Sequence, residues 1–232
     1  MKVYLSASSI KNFISCPKKC LYRVTQPDLE VPTKKSIIGR IAHKAVELGW
    51  DDREIAYKVI KEECKSSRLT KDDVISLQFY VDLFHLNFRP LLGKEDLIEH
   101  SFKLPIYDDV FLVGKIDRIS NGNVFDWKTG KLPKAMNDIQ CFVYDYAYSR
   151  IFKSKPKSVC MASLSEGNIV PYLGNKMYES EILDNIIPRM IKTIRERSYE
   201  RLGMFNESCF KCPYKRACLG GIDVMDSTIV TE

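Results

Sequence analysis

Apolar side chains recur three and four residues apart through the first part of this chain of 232 residues. IKNFISC (10–16), IIGRIAHKAVELGW (37–50), DREIAYKVIKEEC (52–64) and DDVISLQFYVDLFHLNF (72–88) each gather them on one helical face, and Ser6 or Ser8 is placed to cap the first helix. From Asp96 the period drops to two. DLIEHSFKLPI, DVFLVGKIDRIS and NVFDWKT are rich in β-branched and aromatic residues, and the turn signals Asp108-Asp109 and Asn121-Gly122-Asn123 separate them, which predicts a strand meander. A helix over 136–152, a strand over 158–164 and a helix over 179–197 follow, the last broken or kinked at Pro188. Helices, antiparallel strands, helix, strand and helix make an α/β sheet with an added helical part rather than a regular βαβ repeat. The length suits a single domain over 1–232, with a helical, basic part (1–95), a sheet core (96–175) and a carboxy-terminal helix with a cysteine-bearing loop region from Gly203 (176–221).

One strand carries an anomaly. In VFDWKTGK (124–131), Val124, Asp126 and Lys128 share one face while Phe125 and Trp127 share the other. Burying an unpaired charge costs several kcal/mol, so Asp126 and Lys128 need each other, a metal or a wet cleft. The preceding strand ends in GKIDRIS, which makes Asp117 a hairpin neighbour of Asp126. Two carboxylates there suit Mg²⁺ or Mn²⁺, and Lys128 is placed to orient a water and to offset charge developing on phosphorus. Two surface salt bridges on a hairpin are the plainer account, but both acids lie in strongly apolar strands.

Composition narrows the setting. With 45% hydrophobic and 28% charged residues the chain reads as a folded protein. No stretch approaches the roughly 18 apolar residues of a membrane helix, and the amino terminus lacks a signal-peptide core, so a cytoplasmic protein without membrane contact is expected. The +6 net charge is matched by residues 1–50 alone, where Lys2, Lys11, Lys18, Lys19, Arg23, Lys34, Lys35, Arg40 and Lys44 face only Asp28, Glu30 and Glu47. Such a region suits a polyanion such as nucleic acid, or is simply a solvated surface.

GKIDRI followed by FDWKTGK resembles the core of the PD-(D/E)xK nuclease superfamily, in particular its RecB-like branch and the iron–sulfur CRISPR-associated exonucleases. The resemblance implies a restriction-endonuclease-like mixed sheet flanked by helices, with Asp117, Asp126 and Lys128 as catalytic residues. It further implies His43, in IGRIAHKAVE, as a metal ligand with Asp117 and Asp126, and Gln140 and Tyr144, in QCFVY, as catalytic-site residues one helical turn apart. Glu99 lies where relatives carry an acid. By residue chemistry alone, His43 reads as a packed or surface histidine and Tyr144 equally as a core aromatic.

CFKCPYKRAC places Cys209, Cys212 and Cys218 together, one ligand short of a four-cysteine site. Relatives supply the fourth from a Cys-Pro near the amino terminus, which implies Cys16, with Cys20 as the reserve, and a [4Fe–4S] cluster forming one wall of a DNA channel; spacing alone leaves zinc open. Cys64, Cys141 and Cys160 read as core thiols. The family's implied function is a metal-dependent exonuclease on single-stranded DNA ends, in CRISPR spacer acquisition or DNA repair, partnered by an integrase or repair proteins. The alternative is a non-catalytic DNA-binding or scaffold subunit of such a complex.

Overall fold

The computed structural model describes residues 2–26, 32–65, 67, 69–132, 138–202, 207–210 and 212–219. These form two compact units: one from Met1–Val31, Lys103–Val113 and Asn175–Glu232, the other from Pro32–Phe102 and Gly114–Gly174. The expected helix start at 136 and 137, and residues 203–206, 211 and 220–232 of the tail, lie outside the described residues.

In the first unit, strand β1 (Val3–Leu5) runs parallel to Val110–Leu112. Helix α1 (Ala7–Ser15) starts at Ser6, whose hydroxyl accepts the Ser9 N–H in a capping box. The expected helix through Cys16 in fact stops at Ser15. Cys16 turns extended because Pro17 disfavours a helical residue before it, and Pro17 then opens α2 (Pro17–Thr25), which periodicity did not reveal. Helix α7 (Lys176–Ser180) passes through a π-turn (Glu181–Ile186) into α8 (Ile187–Glu196), and Pro188 sits in the first turn of α8, at the expected break. Where a loop was expected, two short helices, α9 (Glu207–Phe210) and α10 (Lys215–Leu219), carry Cys209 and Cys218 with Cys212 between them, and Tyr214 stacks on Tyr22 of α2 at 5.6 Å.

The second unit begins with α3 (Lys34–Leu48), capped by Thr33, then α4 (Arg53–Lys65) and α5 (Lys71–Leu83). Thr70 and Asp73 form the capping box of α5, which runs on into a π-turn over Phe84–Phe88. Two long strands, β2 (Leu97–Tyr107) and β3 (Val110–Ser120), extend through both units. Asn121 and Gly122, both at positive φ, make the tight turn from β3 to β4 (Asn123–Lys128), the two-residue turn that left-handed residues allow. Helix α6 (Ile139–Phe152) then crosses to β5 (Ser158–Ser163), parallel to β4, and β6 (Ile169–Pro171) closes the edge. The mixed six-stranded sheet has the order β1-β3-β4-β5-β6, with β2 joined to β3, and is flanked by helices as expected. β1 and β6, three residues each, are too short to show a period.

The alternation in β4 decides the core. Phe125 and Trp127 stack at 5.6 Å and pack under α3, α4 and α5, with Phe84 edge-on to Trp127 at 5.3 Å. Gly114 keeps β2 and β3 close: a Cβ there would lie 2.6 Å from the Phe102 ring. Gly114→Ala should therefore destabilise the protein by about 1–3 kcal/mol in urea unfolding, the scale of overpacking. Phe102→Leu in the same chain should restore part of that loss; an unchanged midpoint in the single variant would show that the ring moves aside freely.

Candidate active site

The β3–β4 register runs Ser120↔Asn123, Ile119↔Val124 and Arg118↔Phe125, and one more step sets Asp117 opposite Asp126. There the ladder ends, and the Trp127 N–H donates instead to Asp117 Oδ2 at 2.9 Å. Asp126 is fully buried. The Lys128 ammonium is 2.5 Å from its Oδ2, an ion pair off the hydrogen-bonding direction, and neither carboxylate oxygen has a hydrogen-bond partner among the described residues.

Helix α6 fixes the lysine. Asp138 caps the helix by accepting the Gln140 N–H at 2.7 Å, and Gln140 and Tyr144 then project one turn apart. Lys128 Nζ donates to Gln140 Oε1 (3.2 Å), Gln140 Nε2 to the Tyr144 hydroxyl (2.9 Å), and that hydroxyl to the Lys115 carbonyl (2.6 Å). The Leu164 N–H meanwhile holds the Lys128 carbonyl at 2.7 Å. His43 comes from α3, its Nδ1 3.6 Å from Asp117 Oδ2, too long for a hydrogen bond. Gly39, one turn earlier, is what lets α3 approach, because a Cβ there would lie 3.3 Å from the Thr129 hydroxyl just past β4.

The electrostatics show a shortage of positive charge. Burial, then repulsion from Asp126, pushes the Asp117 carboxyl up to about 8. Burial also raises Asp126, although Lys128 opposes it. For Lys128 burial works against the charge, but Asp126 outweighs it and the amine is held as ammonium. Burial lowers His43, leaving a neutral ring whose nitrogen can act as a ligand. A buried carboxylate that Lys128 only partly offsets, beside a second acid and a neutral imidazole, fits a hard divalent cation. Among the described residues no three His, Cys, Asp or Glu side chains converge on one point as a metal-binding group.

Thus Asp117, Asp126, Lys128, Gln140, Tyr144 and His43 all meet in one region. Glu99 joins its edge through an ion pair with Lys115. Sequence reasoning passed over two neighbours. Glu47 lies one helical turn after His43 and is raised by burial and by repulsion from Glu99. Lys115 lies two residues before Asp117 on β3, hence on the same face. The i+4 and i+2 spacings were the available signals.

In the other unit, Cys209, Cys212 and Cys218 line one cavity of about 300 Å³. Cys212 and Cys218 pack against the Tyr22–Tyr214 pair. Burial raises the Cys212 thiol, and Cys16 and Cys209 lie close enough to add to that electrostatically. Cys20 is buried and pushed up to about 11, chiefly by burial, which keeps it a thiol. Among the described residues no helix is long and apolar enough to cross a membrane.

No curated protein sequence matches the chain significantly. Among solved structures, a candidate exonuclease from Eubacterium rectale is similar, with a TM-score of 0.59 and 14% identity over 90% of this chain and 87% of that one, a likeness of fold. The structure of the protein SSO0001 aligns over 91% of this chain and 97% of its own at 13% identity, but its TM-score of 0.33 carries no argument. The sequence profile of the PD-(D/E)XK nuclease superfamily matches residues 4–219, and with that span covering nearly the whole chain, the protein belongs to that superfamily.

Proposed function

We propose that this nuclease hydrolyses DNA phosphodiesters with Mg²⁺ or Mn²⁺ held by Asp117, Asp126 and His43. The observation that carries the reading is the Lys128 ammonium, fixed between the buried Asp126 carboxylate and Gln140, with the Asp117 carboxylate beside them. A divalent cation bound there supplies Lewis-acid polarisation of the phosphate and relieves the repulsion between the two carboxylates. Lys128 orients the attacking water and stabilises negative charge as the water oxygen bonds to phosphorus and the ester oxygen leaves. Gln140 and Tyr144 hold Lys128 in one rotamer. The Tyr144 hydroxyl, raised well above its ordinary range by burial and by Asp117, stays protonated and serves as a fixed donor.

The finer reading is an exonuclease on single-stranded DNA ends, acting in the cytoplasm in CRISPR spacer acquisition or DNA repair. It rests on the order of motifs along the chain, and the description of the Eubacterium rectale structure is consistent with it. Cys16, Cys209, Cys212 and Cys218 are proposed to bind a [4Fe–4S] cluster. Three thiols already share a cavity, Cys16 acts electrostatically on Cys212, and buried Cys20 is poorly suited to ionise.

Single-stranded DNA labelled at either end should be shortened with Mn²⁺ or Mg²⁺ and left intact in EDTA. Asp126→Ala should lose two to three orders of magnitude in cleavage, the scale of removing a group that stabilises the transition state, while keeping DNA affinity within a few-fold. Wild-type rates in that variant would refute the assignment.

Asp117 makes a stability test. Its carboxyl is about 8 in the fold and about 3.9 in an unfolded chain, so the folded state binds the extra proton between those values and this group's contribution falls as pH rises through that window. In EDTA, Asp117→Asn should raise Tm more at pH 8 than at pH 5, by about 2–4 °C for each kcal/mol. Mn²⁺ should raise the wild-type Tm but not that of the variant; equal shifts in both would place the cation elsewhere.

Protein purified without oxygen should be brown, since thiolate-bound iron absorbs visible light and zinc does not. Cys16→Ala should lose iron and lower Tm together, whereas Cys64→Ala should do neither beyond a small packing loss. Stoichiometric zinc without iron would replace the cluster.

A further inference from the structure

We propose that Lys115 is a substrate-binding residue, its ammonium held ready by Glu99 to take the DNA phosphate adjacent to the one being cleaved. The inference rests on the nuclease reading above and concerns a residue outside the motif positions that identify the family.

Placement comes first. Lys115 lies two residues before Asp117 on β3, so the two side chains rise from the same face about 6.6 Å apart along the strand. Its backbone is immobilised because its carbonyl accepts the Tyr144 hydroxyl, the far end of the chain of bonds that orients Lys128. Its side chain stays 54% exposed, open to an incoming ligand. Lys115 is thus built into the site at the backbone and free at the ammonium.

The partner is unusual. Glu99, the third residue of β2, has φ of +50, a left-handed conformation that a residue with a side chain adopts at a cost of order 1 kcal/mol or more. An ion pair at this exposure contributes only about 0–1 kcal/mol, which does not offset that cost. A pair kept despite strain points to a task other than stability. Glu99 also repels Glu47, and Lys115 lies within the field of both.

Charge gives the task. Glu47, Glu99, Asp117, Asp126 and Asp138 all act on the groups of this site, and Lys128 with a divalent cation does not balance them when they are ionised. A nucleic-acid strand would meet repulsion there. Lys115 reduces that negative excess and adds a donor for a phosphate oxygen. The Glu99 ion pair lies at the solvent-exposed end of the Lys115 side chain, where it can be exchanged for one with phosphate.

The test uses the full chain. With Mn²⁺ and a labelled single-stranded oligonucleotide, Lys115→Gln should raise KM about tenfold and leave kcat within twofold. In EDTA, the dependence of log affinity on log salt should fall by about 0.7, one phosphate contact on a single strand. Lys115→Arg should recover KM to within threefold, and Glu99→Gln should raise KM mildly with the salt slope kept. If wild-type protein cleaves DNA but Lys115→Gln leaves KM and the salt slope unchanged, the proposal is overturned and the nuclease reading stands. A lowered Tm and kcat that Lys115→Arg does not rescue would likewise overturn it, marking a structural partner of Glu99. If wild-type protein neither cleaves nor binds nucleic acid, the nuclease reading fails and this inference falls with it.

Discussion

A carboxylate without solvent access, Asp126 in the middle of the sheet, sets the terms for everything around it. Desolvation of an ion is costly, and the attraction of one lysine does not fully offset it. The burial energy of Phe125 and Trp127 on the opposite face of the same strand is what holds Asp126 in place: the strand cannot turn its acid toward water without exposing its two aromatic rings. A period of two therefore couples the strongest packing of the unit to its least favourable charge. The fold supplies the energy that keeps the site primed for a cation.

The same economy governs the approach of the other elements. Gly39 lets α3 come within contact of Thr129, and the helix then carries His43 toward Asp117. Gly114 accepts the Phe102 ring where any side chain would collide. Both glycines belong to motifs that also contain a chemical residue, G-x-x-x-H and G-x-x-D. Their physical role is clearance rather than unusual dihedrals, since neither lies at positive φ. A bulkier residue would leave the ligands present and misplace them.

This division explains what could be read from the sequence. The long helices α3, α4 and α5 and the strands β2, β3 and β4 have enough residues to show a period, and their turns carry Asn-Gly or Asp-Asp signals. The carboxylates were legible because charges interrupt apolar runs. Short β1 and β6, and α2 behind its proline, had no such statistics. The π-turns at Phe84–Phe88 and Glu181–Ile186 are tertiary adjustments that propensity does not encode. Glu47 and Lys115 escaped because each sits one period from a recognised residue and looks like ordinary surface charge until the chain is folded.

Charge counting along the sequence misleads in one further respect. The basic excess of residues 1–50 appears available to a polyanion, yet Lys34 is paired with Asp73, and Arg40 and Lys44 both with Glu63, acids contributed by later helices. These three cations link α3 to α4 and α5, so the local count overstates the charge left without a counter-ion. Positive charge that acts on substrate has to be sought where geometry keeps it over the cleft, not where the local count is highest. Lys128 meets that condition because two elements fix it independently: the Leu164 N–H of the neighbouring chain segment holds its carbonyl, while α6 holds its ammonium. An ammonium so placed loses little further entropy when substrate arrives, so its attraction is available to the transition state rather than consumed in ordering the side chain.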